Sequence, residues 1–433
     1  MDIWNIRGGN RLEGSCLVQG SKNASLPIIA ASLISPASTE LMNVPKLRDV
    51  DAALRILRHL GCNAVQQGNE LYIDSSGISE NRIPHSLMLE MRSSVIFMGA
   101  LLARCGEARL SLPGGCQLGK RPIDIHISAL RRMGVEIEED GSNISCRVTK
   151  LKGCELFLPF PSVGATENIM LTATAAEGET VIRGAAREPE IEALAEYLRR
   201  MGCNVLGDGT DTIVISGGNK SGHVSYRVIS DRIAAATIAC AVAATGGELE
   251  LCDVQAEHFS TVLHFLKLSG CDIIKNKLTV RLRSDGRLKA VGELSTQPYP
   301  GFPTDAQPVL MAALLKAKGR TVITENIFEN RYRQAAQLRR LGADISVSGK
   351  KAEINGVNIL HGTSLEATDL RGGAAMIIAG LSAEGETQIF DDGHISRGYE
   401  ELDKVLGSLG ADICLNSSPD EMNAVVSMHA TER

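Results

Sequence analysis

The sequence has no Cys-x-x-Cys pair, although it contains eleven cysteines. An odd number of scattered cysteines is typical of a reduced, cytosolic protein and argues against a disulfide framework or a zinc site. The longest nearly apolar run, 233–244, has about a dozen residues, which suits a buried helix and is too short to cross a membrane. The start of the chain, 1–7, lacks a basic segment followed by an apolar core, so we expect no secretory signal. Together these absences predict a cytoplasmic protein.

An excess of positive charge is also missing. The 433 residues include 45 Lys and Arg against 51 Asp and Glu, a net charge of -6. This balance argues against nucleic acid or an anionic membrane as partner, but a local basic site for an anionic small molecule remains compatible with it. The histidines show no metal-ligand spacing: His59, His126 and His264 lie within amphipathic helices, and we interpret them as surface or packing residues.

What the chain does contain is an internal repeat, at intervals of 68 to 73 residues. A helical pattern ends each time in a glycine, and an alternating strand follows. Cations in several of these last turns, and glycine in the left-handed position, predict helix C-caps. The glycines are Gly61, Gly134, Gly202, Gly270, Gly342 and Gly410.

A second set of helices precedes these glycine-terminated ones, and it is apolar nearly all round. A helix without a polar face is buried on every side. Six units of this kind predict an α/β fold with buried helices inside and sheets outside, grouped three and three. The predicted buried segments are 28–33, 95–103, 169–176, 233–244, 308–317 and 374–383.

Polar residues stand at the beginning of each buried helix. Helix N-termini attract anions, but Ser, Thr and Asp also occur there as N-caps, and capping is the favoured interpretation for Asp231 and Thr304. A cation at a helix start opposes the helix dipole, so a negative ligand is predicted near Lys22, Arg92 and Arg371. The complete set is Lys22, Asn23, Arg92, Ser162–Thr166, Asp231, Arg232, Thr304, Asp305, Asp369 and Arg371.

Arginines recur in the loops before the glycine-terminated helices, as Arg121, Arg187, Arg331 and Arg397. Such recurrence indicates either a shared ligand or a shared structural salt bridge. We favour the ligand for Arg121 and Arg397 and leave both interpretations open for the other two.

Cys116 lies on a loop with three glycines, just before Lys120, Arg121 and a helix that begins near Pro122. Cations and a helix start lower the pKa of a thiol, and the glycines allow the loop to move like a lid. No histidine lies beside Cys116, which argues against a cysteine-protease-like pair. Proton transfer or ligand capture by Cys116 is therefore predicted.

These motifs resemble those of the UDP-N-acetylglucosamine 1-carboxyvinyltransferases, a family of enolpyruvyl transferases. The similarity runs in order over essentially the whole chain. Two small departures are Ser21, where alanine is common, and Gly372 with Gly373, where alanine or serine is usual and where glycine could loosen the helix. The matching stretches are 20–24, 43–51, 112–126, 162–166, 185–190, 302–305, 328–331, 367–371 and 397–400.

The resemblance implies a two-domain inside-out α/β barrel with three repeats in each domain and the active site in the cleft between them. One domain would comprise 22–229, with the Cys116 loop, and the other 1–21 and 230–433. The implied reaction transfers the enolpyruvyl group of phosphoenolpyruvate to the 3-hydroxyl of UDP-N-acetylglucosamine and releases phosphate, by addition and elimination. This is the first committed step of peptidoglycan synthesis. No metal or organic cofactor is expected, and the expected state is a cytoplasmic monomer whose only partners are these substrates.

The resemblance also assigns roles to residues. Lys22, Asn23, Arg121 and Arg397 would bind phosphoenolpyruvate, with Lys22 also catalytic. Asp305 would accept the proton of the sugar hydroxyl, and Cys116 would protonate the enol carbon, where fosfomycin alkylates the family. The residues that would contact the UDP-sugar are Arg92, Arg121, Pro122, Ile123, Asp124, Ile125, Pro161, Ser162, Val163, Gly164, Asp305 and Ile327.

Two rivals remain at this point. An enolpyruvyl transferase acting on shikimate 3-phosphate would share the architecture and the donor, although the cysteine loop and the Ser162–Thr166 stretch favour the UDP-sugar. A non-catalytic, clamp-like repeat protein would be of another class, and the acidic net charge argues against it.

Overall fold

The computed structural model describes residues 1–91, 93–111, 123–218 and 222–416. Over these ranges the chain forms short strands that alternate with helices. The strands are β1 Asp2–Arg7, β2 Leu12–Leu17, β3 Ser38–Met42, β4 Asn63–Gln67, β5 Glu70–Asp74, β6 Arg82–Ile83, β7 Glu107–Ser111, β8 Glu136–Asp140, β9 Asn143–Arg147, β10 Glu155–Phe157, β11 Glu179–Arg183, β12 Asn204–Leu206, β13 Thr212–Ser216, β14 His223–Arg227, β15 Gly247–Cys252, β16 Asp272–Lys275, β17 Thr279–Ser284, β18 Gly292–Ser295, β19 Arg320–Thr324, β20 Asp344–Ser348, β21 Lys351–Asn355, β22 Ser364–Glu366, β23 Glu386–Asp391 and β24 Asp412–Asn416.

The helices are of two kinds, buried and amphipathic, and short 3₁₀ turns lie at 94–96, 256–259, 304–306, 314–316 and 395–397. The α-helices are α1 Lys22–Ala31, α2 Arg48–His59, α3 His85–Glu90, α4 Phe97–Cys105, α5 Asp124–Arg132, α6 Val163–Ala173, α7 Pro189–Arg200, α8 Arg232–Thr245, α9 Ser260–Leu268, α10 Gln307–Ala313, α11 Gln334–Arg340, α12 Leu370–Ser382 and α13 Leu402–Ser408.

The chain divides into two compact units. Within the described residues, the N-terminal unit comprises Val18–Arg232 and Gln297–Pro303, and the C-terminal unit comprises Met1–Leu17, Ile233–Thr296 and 304–416. The segment 297–303 was predicted in the second domain but packs in the N-terminal unit. There the backbone N–H of Tyr299 donates to Glu188 Oε1 at 3.4 Å, and the Arg232 guanidinium lies 5.6 Å from the Tyr299 ring centroid.

One sheet pattern recurs through both units. In the described residues each unit has three four-stranded sheets, and every sheet has one parallel edge pair followed by two antiparallel pairs. The orders are β14-β3-β5-β4, β6-β7-β9-β8 and β10-β11-β13-β12 in the N-terminal unit, and β22-β23-β1-β24, β16-β17-β15-β2 and β18-β19-β21-β20 in the C-terminal unit. The prediction of six matched repeats, three and three, is confirmed.

The repeat glycines are helix C-caps, as predicted. All six have φ between 94° and 111°, a region that side chains disfavour and glycine tolerates. In the second repeat, for example, Gly134 follows α5, and its backbone N–H donates to the carbonyl of Arg131 at 3.1 Å. The glycine therefore ends the amphipathic helix and turns the chain into the next strand.

The apolar helix that precedes the glycine-terminated one in each repeat is enclosed, which confirms the inside-out arrangement. In α4 the residues from Phe97 to Leu102 are buried, and in α12 every residue from Arg371 to Ser382 is buried. Several buried helices begin earlier than predicted because their polar first turns, such as Lys22 and Asn23 of α1, are already helical.

The glycine pair in α12 does not interrupt the helix. A Cβ added at Gly373 would lie 2.6 Å from Cγ1 of Ile395, and one at Gly372 would lie 2.7 Å from Oδ2 of Asp369. Close packing of the helix start against Ile395 and Asp369 therefore accounts for both glycines.

Candidate active site

Four of the residues assigned from the sequence, Arg92, Cys116, Arg121 and Pro122, lie outside the described residues, as does Lys120. The remaining assigned residues fall on helix starts and loops of the two units, and each unit is described separately below.

Lys22 begins α1 of the N-terminal unit. Ser21 caps this helix, since its Oγ accepts from the backbone N–H of Ala24 at 3.2 Å. The Lys22 ammonium donates to Asp49 Oδ2 at 3.1 Å, and the two side chains are only 12% and 4% exposed. The Lys22 backbone N–H donates to Asp231 Oδ2 at 3.2 Å. The lysine is thus held by carboxylates, and the half-buried Asn23 follows it in the first turn.

The two segments assigned to the UDP-sugar lie at the starts of two adjacent helices. Ile123 and Ile125 are half-buried and Asp124 is exposed at the beginning of α5. Pro161, Ser162, Val163 and Gly164 are half-buried, and Ser162 caps α6 by accepting from the backbone N–H of Ala165 at 3.3 Å. Both segments therefore present backbone N–H groups at helix starts, where anionic groups bind favourably.

Three glutamates cluster next to Arg232 in the same unit. Glu190 accepts from the Arg232 guanidinium at 2.9 Å, and both side chains are buried. Burial, with Glu190 and Glu188 adding repulsion, raises the pKa of the Glu167 carboxyl well above its ordinary range. Burial also raises the pKa of Glu188, against the lowering effect of Arg232. The cluster therefore contains one paired carboxylate beside carboxyls that resist ionisation.

Asp305 lies in the 3₁₀ turn 304–306 of the C-terminal unit, and two arginines hold its carboxylate. Arg331 Nη2 donates to Oδ1 at 3.0 Å, and Arg371 Nη2 donates to Oδ2 at 3.2 Å. The arginine side chains are 2% and 4% exposed, while Asp305 is 31% exposed. Arg331 also donates to the carbonyl of Thr304, and Asp369 caps α12 through the backbone N–H groups of Arg371 and Gly372.

Glu325 organises the neighbouring loop. Its buried carboxylate accepts from the hydroxyls of Thr296 and Thr304, at 2.9 and 3.1 Å, and from the backbone N–H groups of Ile327 and Phe328, at 2.8 and 3.1 Å. One side chain therefore fixes both the start of the turn that carries Asp305 and the half-buried Ile327.

Arg397 lies at the end of the 3₁₀ turn 395–397 and is half-buried. Asp391 shapes this loop, since its carboxylate accepts from the backbone N–H groups of His394 and Ile395 at 2.7 and 3.1 Å. Among the other recurring arginines, Arg331 forms the buried ion pair described above. Arg187 is exposed and donates to the carbonyl of Gly209 at 3.2 Å. These two arginines therefore have structural partners.

Two arguments from the sequence need correction. A negative ligand is not required to explain a cation at a helix start, because Asp49 partners Lys22 and Asp305 partners Arg371. Capping was favoured for Thr304, but its hydroxyl donates to Glu325 Oε2. Asp231 contributes its carboxylate to the start of α1.

Sequence reasoning missed Asp49, Glu325, and the pair formed by His126 and Asn168. Asp49 lies inside the stretch 43–51 and Glu325 lies three residues before the stretch 328–331, but nothing in the local pattern identifies their partners. His126 was interpreted as a surface or packing residue, and it is buried at 6% exposure.

Among the residues that the structure describes, no group of three or more His, Cys, Asp and Glu side chains could hold a metal ion. None of the helices in those ranges is long and apolar enough to cross a membrane.

Comparison with known proteins identifies relatives over almost the full chain. The sequence model of a family described as EPSP synthase (3-phosphoshikimate 1-carboxyvinyltransferase) matches residues 6–406. UDP-N-acetylglucosamine 1-carboxyvinyltransferase 2 of Caldanaerobacter subterraneus subsp. tengcongensis is 46% identical over 95% of this chain and 99% of its own. UDP-N-acetylglucosamine 1-carboxyvinyltransferase of Geotalea uraniireducens is 44% identical over 95% of this chain and 99% of its own.

Solved structures agree with the fold. The enolpyruvyl transferase NikO from Streptomyces tendae aligns with a TM-score of 0.86 at 25% identity, over 96% of this chain and 99% of its own. EPSP synthase from Acinetobacter baumannii aligns with a TM-score of 0.75 at 23% identity, over 96% of this chain and 100% of its own, which bears on the fold alone.

Proposed function

Since this chain belongs to the EPSP synthase family and, within it, to the UDP-N-acetylglucosamine 1-carboxyvinyltransferases, we propose that it transfers the enolpyruvyl group of phosphoenolpyruvate to the 3-hydroxyl of UDP-N-acetylglucosamine. The products are the enolpyruvyl ether and inorganic phosphate, and the reaction is the first committed step of peptidoglycan synthesis. The observation that carries the proposal is the 46% identity with an enzyme of this name over 95% of the chain.

Phosphoenolpyruvate brings a phosphate and a carboxylate, and cationic side chains compensate such charges. We assign its binding to Lys22, Asn23, Arg121 and Arg397. In the structure Lys22 is oriented by Asp49, with the nitrogen and oxygen 3.1 Å apart. An ammonium that is already held in place loses less conformational freedom when the substrate binds.

The chemistry proceeds by addition and then elimination. Cys116 gives a proton to C3 of phosphoenolpyruvate while the 3-oxygen of the sugar attacks C2, and Asp305 takes the proton of that hydroxyl. The tetrahedral ketal then loses a proton from C3, the bond from C2 to the phosphate oxygen breaks, and phosphate leaves as the double bond forms again. General acid–base assistance of this kind contributes roughly 10²–10⁴-fold in rate.

Asp305 is suited to its role by its partners. Arg331 and Arg371 each donate to a different oxygen, which fixes the plane of the carboxylate. Asp305 also keeps 31% of its side chain exposed, which leaves it accessible.

The identity of the acceptor substrate is tested by measuring phosphate release. Purified protein with phosphoenolpyruvate is given UDP-N-acetylglucosamine, shikimate 3-phosphate or no acceptor, each with and without a chelator. We expect phosphate release only with UDP-N-acetylglucosamine and no effect of the chelator. A Cys116→Ser variant controls for contaminating phosphatase, because it removes the proposed acid and leaves other activities unchanged.

The name of the family model supports a second candidate, 3-phosphoshikimate as acceptor. Release with shikimate 3-phosphate and none with the UDP-sugar would establish that activity and overturn the proposal. Release with neither would favour the clamp-like repeat protein.

We also propose that the protein acts in the cytoplasm as a monomer. The scattered cysteines and the small-molecule substrates support the compartment. Light scattering of the purified protein tests the monomeric state. A mass near twice that of the chain would contradict it.

A further inference from the structure

His126 lies at the third position of α5, directly after the segment Ile123–Ile125. Its side chain is 6% exposed, and Nδ1 lies 2.9 Å from Nδ2 of the fully buried Asn168 on α6. Asn168 follows the segment Pro161–Gly164 by one helical turn. One hydrogen bond therefore connects the two helices whose first turns carry the segments assigned to the UDP-sugar.

The hydrogen-bond network fixes the orientation of both side chains. The backbone N–H of Gly99 donates at 2.7 Å to the amide oxygen of Asn168, and the Asn168 nitrogen donates to the carbonyl of Val95 at 3.2 Å. The nitrogen is thus the end that faces His126, so Nδ1 of the ring accepts and the ring proton is on Nε2. Burial lowers the pKa of His126 to about 4, against a raising contribution from Asp124, so the ring is neutral near pH 7.

The other edge of the ring packs against Gly164. A Cβ added at residue 164 would lie 3.3 Å from Cε1 and 3.5 Å from Nε2 of His126. The φ of Gly164 is outside the left-handed region, so the backbone conformation would accept a side chain. A side chain at position 164 would therefore be crowded by the ring of His126 and not by the backbone conformation.

We propose that His126 is a positioning residue for the acceptor: held by Asn168, its ring sets the spacing between Ile123–Ile125 and Pro161–Gly164. The inference rests on the proposed function, because both segments are assigned to the UDP-sugar. A rigid, buried spacer holds two helix starts in one arrangement before the ligand arrives, which reduces the ordering cost of binding.

The test measures binding and turnover separately in four variants: His126→Ala, His126→Asn, Gly164→Ala and the His126→Ala/Gly164→Ala double variant. The Kd of UDP-N-acetylglucosamine is determined by titration calorimetry and kcat by phosphate release at saturating substrates. We expect His126→Ala to raise Kd about tenfold or more with kcat within about threefold, the pattern of lost acceptor binding. His126→Asn places an acceptor oxygen near the position of Nδ1, so it should recover part of the affinity.

The double variant separates positioning from general destabilisation. Gly164→Ala alone should weaken binding, because the ring that Asn168 holds must shift to admit a methyl group 3.3 Å from its Cε1. In the His126→Ala background the added methyl group has space. The fold increase in Kd of the double variant, relative to the wild type, should therefore be clearly smaller than the product of the fold increases in the two single variants. His264→Ala is the matched control, since His264 lies on the amphipathic helix α9 and is exposed.

The outcomes distinguish this inference from the proposed function. A wild-type protein that neither binds the UDP-sugar nor releases phosphate with it would overturn the function, and this inference with it. An active wild type with an unchanged Kd in His126→Ala, or with strictly multiplicative effects in the double variant, would overturn the inference alone. A lower melting temperature of His126→Ala with an unchanged Kd would also overturn the inference, because it would indicate a purely structural role. If His126→Ala does not fold, His126→Asn and Gly164→Ala decide the matter: an unchanged Kd in both overturns the inference.

Discussion

Arg331 donates through Nη2 to Asp305 Oδ1 at 3.0 Å and, through Nε and the same Nη2, to the carbonyl of Thr304 at 3.1 and 2.9 Å. One buried arginine thus binds both the side chain of the candidate base and the backbone immediately before it. Arg371 holds the second carboxylate oxygen, so the geometry of Asp305 depends on two distant segments of the chain.

Asp305→Asn should lower turnover by roughly 10²-fold or more, because the amide cannot accept the proton of the sugar hydroxyl. It should also lower the free energy of unfolding, because two buried guanidinium groups lose one carboxylate partner, although Asp369 still lies 4.0 Å from Arg331. Breaking a fully buried pair costs roughly 3–5 kcal/mol, and the partial exposure of Asp305 places the expected loss below that range, at about 2 kcal/mol. Steady-state rates and urea unfolding measure the two effects.

The control for this variant is Glu139→Gln, which breaks the exposed pair of Arg131 and Glu139 and should change stability by less than about 1 kcal/mol. Near-normal turnover in Asp305→Asn would exclude the role of base.

Asp49→Asn should raise the KM for phosphoenolpyruvate about tenfold, because the Lys22 ammonium loses the carboxylate that orients it. The KM for UDP-N-acetylglucosamine should change less. Initial rates at varied phosphoenolpyruvate provide the measurement, and Glu90→Gln, which removes an exposed partner of Arg55, serves as the matched control. Equal changes of the KM for phosphoenolpyruvate in Asp49→Asn and Glu90→Gln would show that the contact between Lys22 and Asp49 has no part in substrate binding.

Glu167→Gln should become progressively more stable than the wild type as the pH rises. The pKa of Glu167 is raised in the folded protein by burial and by Glu190 and Glu188, so the folded state retains a proton that the unfolded state loses above about 4.5. The stability of the wild type relative to the variant is therefore greatest below that pH and declines towards the folded pKa. The decline is at most about 1.4 kcal/mol for each pH unit.

Urea unfolding of the wild type and Glu167→Gln at several pH values between 4 and 8 checks the sign. A difference in unfolding free energy that does not vary with pH would contradict a raised pKa for this carboxyl.

Fosfomycin should label Cys116 in preference to the other ten cysteines. Burial raises the pKa of Cys16, Cys62 and Cys271 to about 11 and that of Cys146 to about 12, so these thiols are unreactive near pH 7. The useful comparison is with the exposed Cys105 and Cys414. Mass mapping after limited reaction locates the adduct, and a label on either of those two instead would refute the assignment.

A Cys116→Asp variant extends this test. It should remain active, because a carboxylic acid also donates a proton, and it should lose the labelling. An inactive variant that still folds would argue that the thiol does more than transfer a proton.

Local patterns in the sequence predicted the repeat and the C-capping glycines. A helix that ends in a left-handed residue needs glycine at that place whatever surrounds it, so Gly134 and its five counterparts predict helix ends without tertiary information. The apolar character of α8 likewise required burial on all sides. The exact beginnings of the buried helices were not predicted, because polar residues such as Lys22 are compatible with a loop or with a first turn.

The sequence by itself determined the six-fold repeat, the inside-out placement of the helices and the family, since each depends on neighbours a few residues away or on motifs in order. Only the tertiary structure decided the partners of the polar groups. Asp49 lies 27 residues from Lys22, Asp305 lies 66 residues from Arg371, and Asn168 lies 42 residues from His126. The energy of a buried charge or ring nitrogen depends on which group lies within about 3 Å of it, and that is set by how helices and loops from separate parts of the chain pack together.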